Sequence, residues 1–430
     1  MSIEAASRDQ KRLASRAFMP YPTVALAAAR HGPLAGLSFA VKDLFDVAGY
    51  PTSGGQPMLL AMSGIKTCSS PVVTQLLDAG AQFVGKTITD ELAFSINGQN
   101  AHFGDPINPH APDRISGGSS SGSASAVAHG LCDIGIGSDT GGSVRAPANH
   151  CGLIGIRTSH GLVSLEHAVA FAPSLDSCGW FASDIDVFVK ASEVLLQTPV
   201  CQTPLLGPIN KPRWMLGSPW WSALTPEVGK AHQAAMQGIG DAIGQAGQVR
   251  QVGQALSSFD IDFPAFGATG LDDLVLAFRQ IQGFEAWQCD GALIQDYALS
   301  LGPGVAERFA WASQVSEADY IKASKLREAF ANWMQGQLAD DGLLIVPTMP
   351  DVAPLRQAES ASLDQYRASA MRMLCVAGLC RLPQINLPLS QRLGVPLGLS
   401  LIGPAASDLA LLPWAKFLMQ VGTRLDHAAP

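Results

Sequence analysis

Apolar and polar positions alternate in short blocks from the first residues onward. Gln10–Ala17 and Val24–His31 read as helix. A short apolar run follows, Leu37-Ser38-Phe39-Ala40-Val41, with strand character and Lys42 at its end. Val72–Ala79 is helical and Ala81–Lys86 reads as a strand, so helices and strands alternate as in an α/β protein. Ser123–His129 is alanine-rich and predicts a helix, while Leu131–Gly137 is an apolar run suited to a buried strand. Pro226–Ala246 carries alanine, valine and isoleucine at helical spacing, the pattern of ordinary core packing. Leu343–Pro347 and Ile385–Leu387 are further strands, with Gly398–Ile402 expected to pair with them. Trp180, Phe181, Met371 and Met373 are assigned to the core. No internal repeat marks the chain and no composition break divides it, so one large domain over 1–430 is expected.

Composition narrows the function classes. The 430 residues are 47% apolar and only 15% charged, which suits a large globule with much interior. Twenty-eight basic against 36 acidic residues give a net charge of −8, with no basic stripe to neutralise phosphates. Nucleic acid is therefore not expected as a partner. A mean hydropathy of +0.18 raises the question of a membrane, but the most apolar stretches, Gly161–Ala172 and Val395–Pro404, are short or interrupted. The N-terminal MSIEAASRDQKR has no apolar segment of a secretory signal, so a soluble cytoplasmic protein is expected. Eight cysteines without a C-x-x-C pair read as buried reduced thiols, and no histidine or cysteine spacing suggests a metal.

One segment stands apart. Ser116–Arg145 reads SGGSSSGSASAVAHGLCDIGIGSDTGGSVR, and 16 of its 30 residues are Gly or Ser. A flexible linker has such a composition, but a linker would not carry a buried strand. A P-loop is excluded because no lysine follows Gly122, and a dinucleotide fingerprint fails where Thr140 replaces the third glycine. Gly118-Ser119-Ser120-Ser121-Gly122 matches the G-x-S-x-G elbow, with Ser120 as nucleophile, but that chemistry needs a downstream histidine. His232 lies inside a predicted helix and His427 three residues from the end of the sequence. A serine can instead be activated by a neutral lysine, whose pKa near 10.4 must first be lowered by burial or by cationic neighbours. Lys42 closes the apolar run LSFAVK, although a surface lysine with a buried stem has the same local pattern.

The segments FAVKDLFDV, SGGSS and GSDTGGSVR together resemble the amidase signature family, and the resemblance covers most of the chain. It implies a large central mixed twisted sheet covered by helices on both faces. It further implies a catalytic core over about 34–185, a variable helical middle over about 200–330 and a C-terminal part over about 340–420 completing the sheet. The family's catalytic lysine falls on Lys42, its cis-serine on Ser119 and its nucleophile on Ser143, with the family's 24-residue separation kept between the serines (143 − 119). By this resemblance Ser143 attacks an amide carbonyl to form an acyl-enzyme, and Ser119 relays its proton to neutral Lys42. The peptide between Gly118 and Ser119 is then cis. Backbone N–H groups of Thr140, Gly141, Gly142 and Ser143 are expected to hold the oxyanion, since the two glycines offer no side-chain obstruction. Asp139 and Arg145 flank the loop and are read as a frame that fixes it, and Ser120 and Ser121 as supporting hydrogen-bond donors. Ser95, Ile96 and Asn97 would line the acyl side. No cofactor and no metal are implied.

FAVKDLFDVAGY, LAFSINGQNAHFGDP, GLVSLEH and LGPGVAERF also resemble plant indole-3-acetamide hydrolases. The expected activity is hydrolysis of a small carboxamide, an aryl-acetamide among them, by a monomer or homodimer. Hydrolysis of a carbamate, anilide or ester by the same machinery stays open, as does the role of a glutamine-hydrolysing amidotransferase A-type subunit. An inactive binding scaffold is disfavoured by the complete set Lys42, Ser119 and Ser143.

Overall fold

The computed structural model describes residues 3–197, 205–245 and 256–428. Ten strands form one sheet: β1 (Ser38–Lys42), β2 (Gln82–Thr87), β3 (Ile134–Asp139), β4 (Ile154–Arg157), β5 (Ser177–Ala182), β6 (Arg213–Gly217), β7 (Ser257–Phe259), β8 (Gly342–Pro347), β9 (Gln384–Arg392) and β10 (Val395–Ile402). Their spatial order is β2-β1-β3-β5-β4-β9-β10-β8-β6-β7. The two wings, β2-β1-β3 and β8-β6-β7, are parallel, and every pairing between β3 and β8 is antiparallel. Helices cover both faces. That is why β3, β4, β5 and β8 are buried along their whole length and read as apolar or small runs instead of alternating.

The Gly/Ser tract is interior structure. Its helix, Ser121–Ala128, is buried from Ser121 to Val127 and lies against β3. A side chain at Gly122 would bring its Cβ to 2.3 Å from the Ala17 carbonyl oxygen and 2.6 Å from the Ile88 nitrogen, so only glycine permits this approach. Pairing of Val41 with Ile136 aligns the ends of β1 and β3, and Lys42 and Asp139 close the two strands.

Most predicted elements are found within a few residues of their expected bounds, and three differ. Residues 24–31 form no helix. Their backbone is drawn outward to neighbours, Val24 N donating to the Tyr50 hydroxyl at 2.7 Å and Ala29 N to the Leu77 carbonyl at 2.9 Å. The run beginning at Leu131 becomes strand only at Ile134, because Gly130 turns the chain at φ +66° and Leu131 N caps the preceding helix on the Ala126 carbonyl. The helix expected over Pro226–Ala246 spans Pro226–Ile243, and Ala246 lies outside the described residues. The middle region also supplies β6 and the edge strand β7 in addition to its helices.

Trp180, Phe181, Met371 and Met373 are buried. Five free cysteines are buried, but Cys68 and Cys289 are exposed, contrary to expectation, and Cys201 lies outside the described residues. No helix among the described residues is long and apolar enough to cross a membrane.

Candidate active site

β1 delivers Lys42 into the interior, where it is fully buried. Its Nζ donates to Ser119 Oγ at 2.7 Å and to Ser138 Oγ at 2.9 Å. Burial pushes the Lys42 ammonium down to about 7, against the opposing pull of Asp90, Asp139 and Asp176. A lysine so placed is substantially neutral at physiological pH and can accept a proton.

The segment carrying Ser119 is held from all sides. The Gly118–Ser119 peptide is cis. Gly118 N donates to the Ile96 carbonyl at 2.9 Å, while the Ser119 carbonyl accepts from Thr89 Oγ1 at 2.9 Å and Asp90 N at 3.1 Å. A Cβ on Gly118 would lie 2.2 Å from Asp90 Oδ2, so any larger residue would displace the Asp90 carboxyl. The Asp90 carboxyl is raised by burial, which the Gly98 N–H and the Ser95 and Ser121 hydroxyls partly offset. Ser120 N donates to the Ser143 carbonyl at 3.1 Å, joining the two serine-bearing segments.

Asp139, at the end of β3, organises the loop that follows. Its carboxylate accepts from Gly142 N (2.9 Å), Val144 N (3.0 Å) and Arg145 N (3.2 Å), and is gripped by Arg145 Nη2 (2.7 Å) and Arg157 Nη1 (3.2 Å). Burial by itself would raise this carboxyl, but Arg145 and then Arg157 hold it well below the usual carboxylate range. Thr140 Oγ1 donates to Asp176 at 2.5 Å. The loop presents Ser143, 4% exposed, beside the Ser119 segment.

The expected oxyanion donors need one correction. Gly142 N is turned onto Asp139 and is not free, whereas the N–H groups of Thr140, Gly141 and Ser143 have no partner among the described residues. Gly142 is required for its conformation, with φ at +116°, and a Cβ there would approach Leu374 Cδ1 to 2.5 Å. Gly142→Ala is expected to lower kcat about 10²-fold or more through displacement of the loop. Steady-state rates with a thermal melt check this, and wild-type turnover would show that the loop tolerates a side chain.

The structure also distributes the other candidates. Ser120 Oγ donates to the Ser138 carbonyl at 3.2 Å. His232 is bonded to Ser390 and pushed down to about 4 by burial, so it does not serve Ser120, while the side chain of His427 lies outside the described residues. Ser95 and Ile96 brace the Asp90–Gly118 segment, and Asn97, half-buried, donates its backbone N–H to Ser95 Oγ.

Ser138, Asp90, Asp176 and Arg157 were not singled out from the sequence. Nothing in local pattern distinguishes a buried partner that arrives from a distant strand. The same holds for the buried Lys86–Asp43 pair, 2.6 Å apart, beside Lys42 in the chain. A cavity of about 150 Å³ opens at Ser138 and Asp176, walled by Leu44, Phe45, Phe171 and Pro173.

Comparison with known proteins identifies the class to which this fold and arrangement belong. The family model described as Amidase matches residues 14–202. The chain belongs to the amidase signature family and is an amidase, a hydrolase of amide bonds. It is 36% identical over 407 residues to Amidase 1 of Oryza sativa subsp. japonica, spanning 92% of each chain. To Amidase 1 of Arabidopsis thaliana it is 36% identical over 409 residues, 92% of this chain and 96% of the relative. A crystal structure of an amidase superposes with a TM-score of 0.80 at 26% identity, covering 97% of this chain and 94% of the other.

Proposed function

We propose that the chain cleaves a small carboxamide to a carboxylate and ammonia or an amine, and that this substrate is an aryl-acetamide such as indole-3-acetamide. Ser143 Oγ attacks the carbonyl carbon while its proton passes through Ser119 to neutral Lys42. The tetrahedral oxyanion lies on the Gly141 and Ser143 N–H groups. As the C–N bond breaks, Lys42 returns the proton through Ser119 to the departing nitrogen. Water then attacks the acyl-enzyme by the reverse relay, releasing the carboxylate. The observation that carries this reading is the fully buried Lys42 Nζ bonded to Ser119 Oγ at 2.7 Å. The small apolar cavity beside Ser138 and the segments resembling plant indole-3-acetamide hydrolases support the aryl-acetamide assignment.

The mechanism needs Lys42 neutral, and its protonated form predominates below about pH 7. The rate kcat/KM is therefore expected to rise with pH along an acid limb centred near 7 and then level off. A pH profile lacking this limb would contradict Lys42 as the base. Substrate choice is tested by ammonia or amine release from matched amides, anilides, carbamates and esters, indole-3-acetamide included. Turnover confined to carbamates or anilides would keep the mechanism and overturn the substrate assignment. Activity only with added partner subunits would point to an amidotransferase role.

A further inference from the structure

The 26-residue helix Leu271–Asp296 lays one face over the loop that carries Ser143. Phe278 and Gln282 stand one turn apart on that face, as residues four positions apart do. A Cβ on Gly141 would meet Phe278 Cζ at 2.9 Å and Gln282 Nε2 at 3.3 Å, so both side chains rest directly on Gly141. Leu274, Ala277, Phe278 and Ile281 make the turns leading to Gln282 apolar, while Glu285 and Asp290 are buried further along, Glu285 accepting from Ser174 N and the Tyr320 hydroxyl. Gln282 has no such partner. It is 7% exposed, yet its carboxamide makes no hydrogen bond with any described residue. A primary amide carries two donors and an acceptor, and those of Gln282 are not fully enclosed, so they face accessible space in which a ligand can pair with them.

We infer that Gln282 is a substrate-binding residue whose carboxamide pairs edge to edge with the primary carboxamide of the substrate. The inference rests on the assignment of Ser143 as nucleophile. Gln282 Nε2, the atom nearest Gly141, donates to the acyl oxygen, which also faces the free Gly141 and Ser143 N–H groups. Gln282 Oε1 accepts from the substrate N–H that lies on the same side as that oxygen. The pairing is in the amide plane, so the face attacked by Ser143 stays open. An ester has no N–H to offer. A trans secondary amide, including an anilide, points its N–H to the opposite side. The site therefore selects unsubstituted carboxamides.

The test compares kcat/KM for a primary amide, its anilide and its ester in wild type and in Gln282→Leu, which keeps the bulk and removes the polar atoms. Wild type is expected to favour the primary amide. The variant is expected to lose at least about tenfold more on that substrate than on the other two, which share the acyl oxygen bonded by Nε2 but offer no N–H on its side. Gln282→Asn retracts the carboxamide by one methylene and is expected to show the same selective loss, which keeps the question decidable should the leucine variant fold poorly. Equal losses on all three substrates would make Gln282 a packing residue over Gly141 and overturn the inference. So would unchanged rates, or a wild type without preference for the primary amide. Ser143→Ala assayed on the same three substrates separates the two claims. Activity surviving there would remove the nucleophile assignment, whereas its abolition together with a non-selective Gln282→Leu would remove only the pairing.

Discussion

Ser143→Ala is expected to lower kcat on the order of 10⁴–10⁶-fold for any substrate the protein turns over, with little change in fold. The reason is local. Ser143 contributes its hydroxyl to no hydrogen bond within the described chain, so its removal leaves the loop's frame on Asp139 intact. In the proposed mechanism the same hydroxyl bonds to the carbonyl carbon. There Lys42 and Ser119 act only through it, so the three residues are expected to behave as a single unit. Ser119→Ala is accordingly expected to cost a comparable factor, and the Ser119→Ala/Ser143→Ala double variant no more than Ser143→Ala alone. Steady-state product release, with circular dichroism to verify the fold, measures both. Multiplying losses in the double variant would mean that the two serines act independently, and the relay would fail.

Asp139→Asn is expected to be the most destabilising single change at the site, by about 3–5 kcal/mol. One carboxylate there receives three backbone N–H groups and two guanidinium groups, all buried. The asparagine cannot neutralise Arg145 and Arg157, and its NH₂ group faces donors where an acceptor is needed. Arg145 retains bonds to the Leu374 carbonyl and Gln384, and Arg157 to the Thr140 and Leu175 carbonyls, which supply dipoles but no counter-charge. Activity is expected to fall as well, because Gly142 and Ser143 lose their anchor. The pH dependence has a definite sign. The folded carboxyl lies below its unfolded value, so its contribution is present above about pH 4 and is lost as pH falls through the acid range. Denaturant midpoints at neutral and acid pH check this. A variant as stable as wild type at pH 7 would show that the frame contributes nothing.

What could be read from the sequence divides along a physical line. Ser119 and Ser143 sit in local motifs dense with glycine and Lys42 closes an apolar run, so spacing and resemblance single them out without knowledge of the packing. Six of the ten strands were legible as apolar runs, Leu343–Pro347 among them, because helices cover the sheet, whereas β4, β5, β6 and β7 were not read from the sequence. The strap over residues 24–31 was misread because its alanines carry helical propensity, which its bonds to Tyr50 and Leu77 override. Ser138 and Gln282 were invisible for a different reason. Their significance comes from what is placed opposite them, Lys42 Nζ in one case and Gly141 in the other, by segments 96 and 141 positions away. The oxyanion assignment failed in part at Gly142 because sequence shows that a glycine can turn its N–H inward but not that Asp139 will claim it.

The covalent intermediate offers the most direct test. Protein turning over a primary amide would be quenched in acid within milliseconds to seconds and analysed by intact and peptide mass spectrometry. A mass increase equal to the acyl group is expected on the peptide containing Ser143, and its absence in Ser143→Ala. Acyl mass on Ser119 or Ser120, or undiminished acylation of Ser143→Ala, would contradict the assignment of Ser143 as the nucleophile.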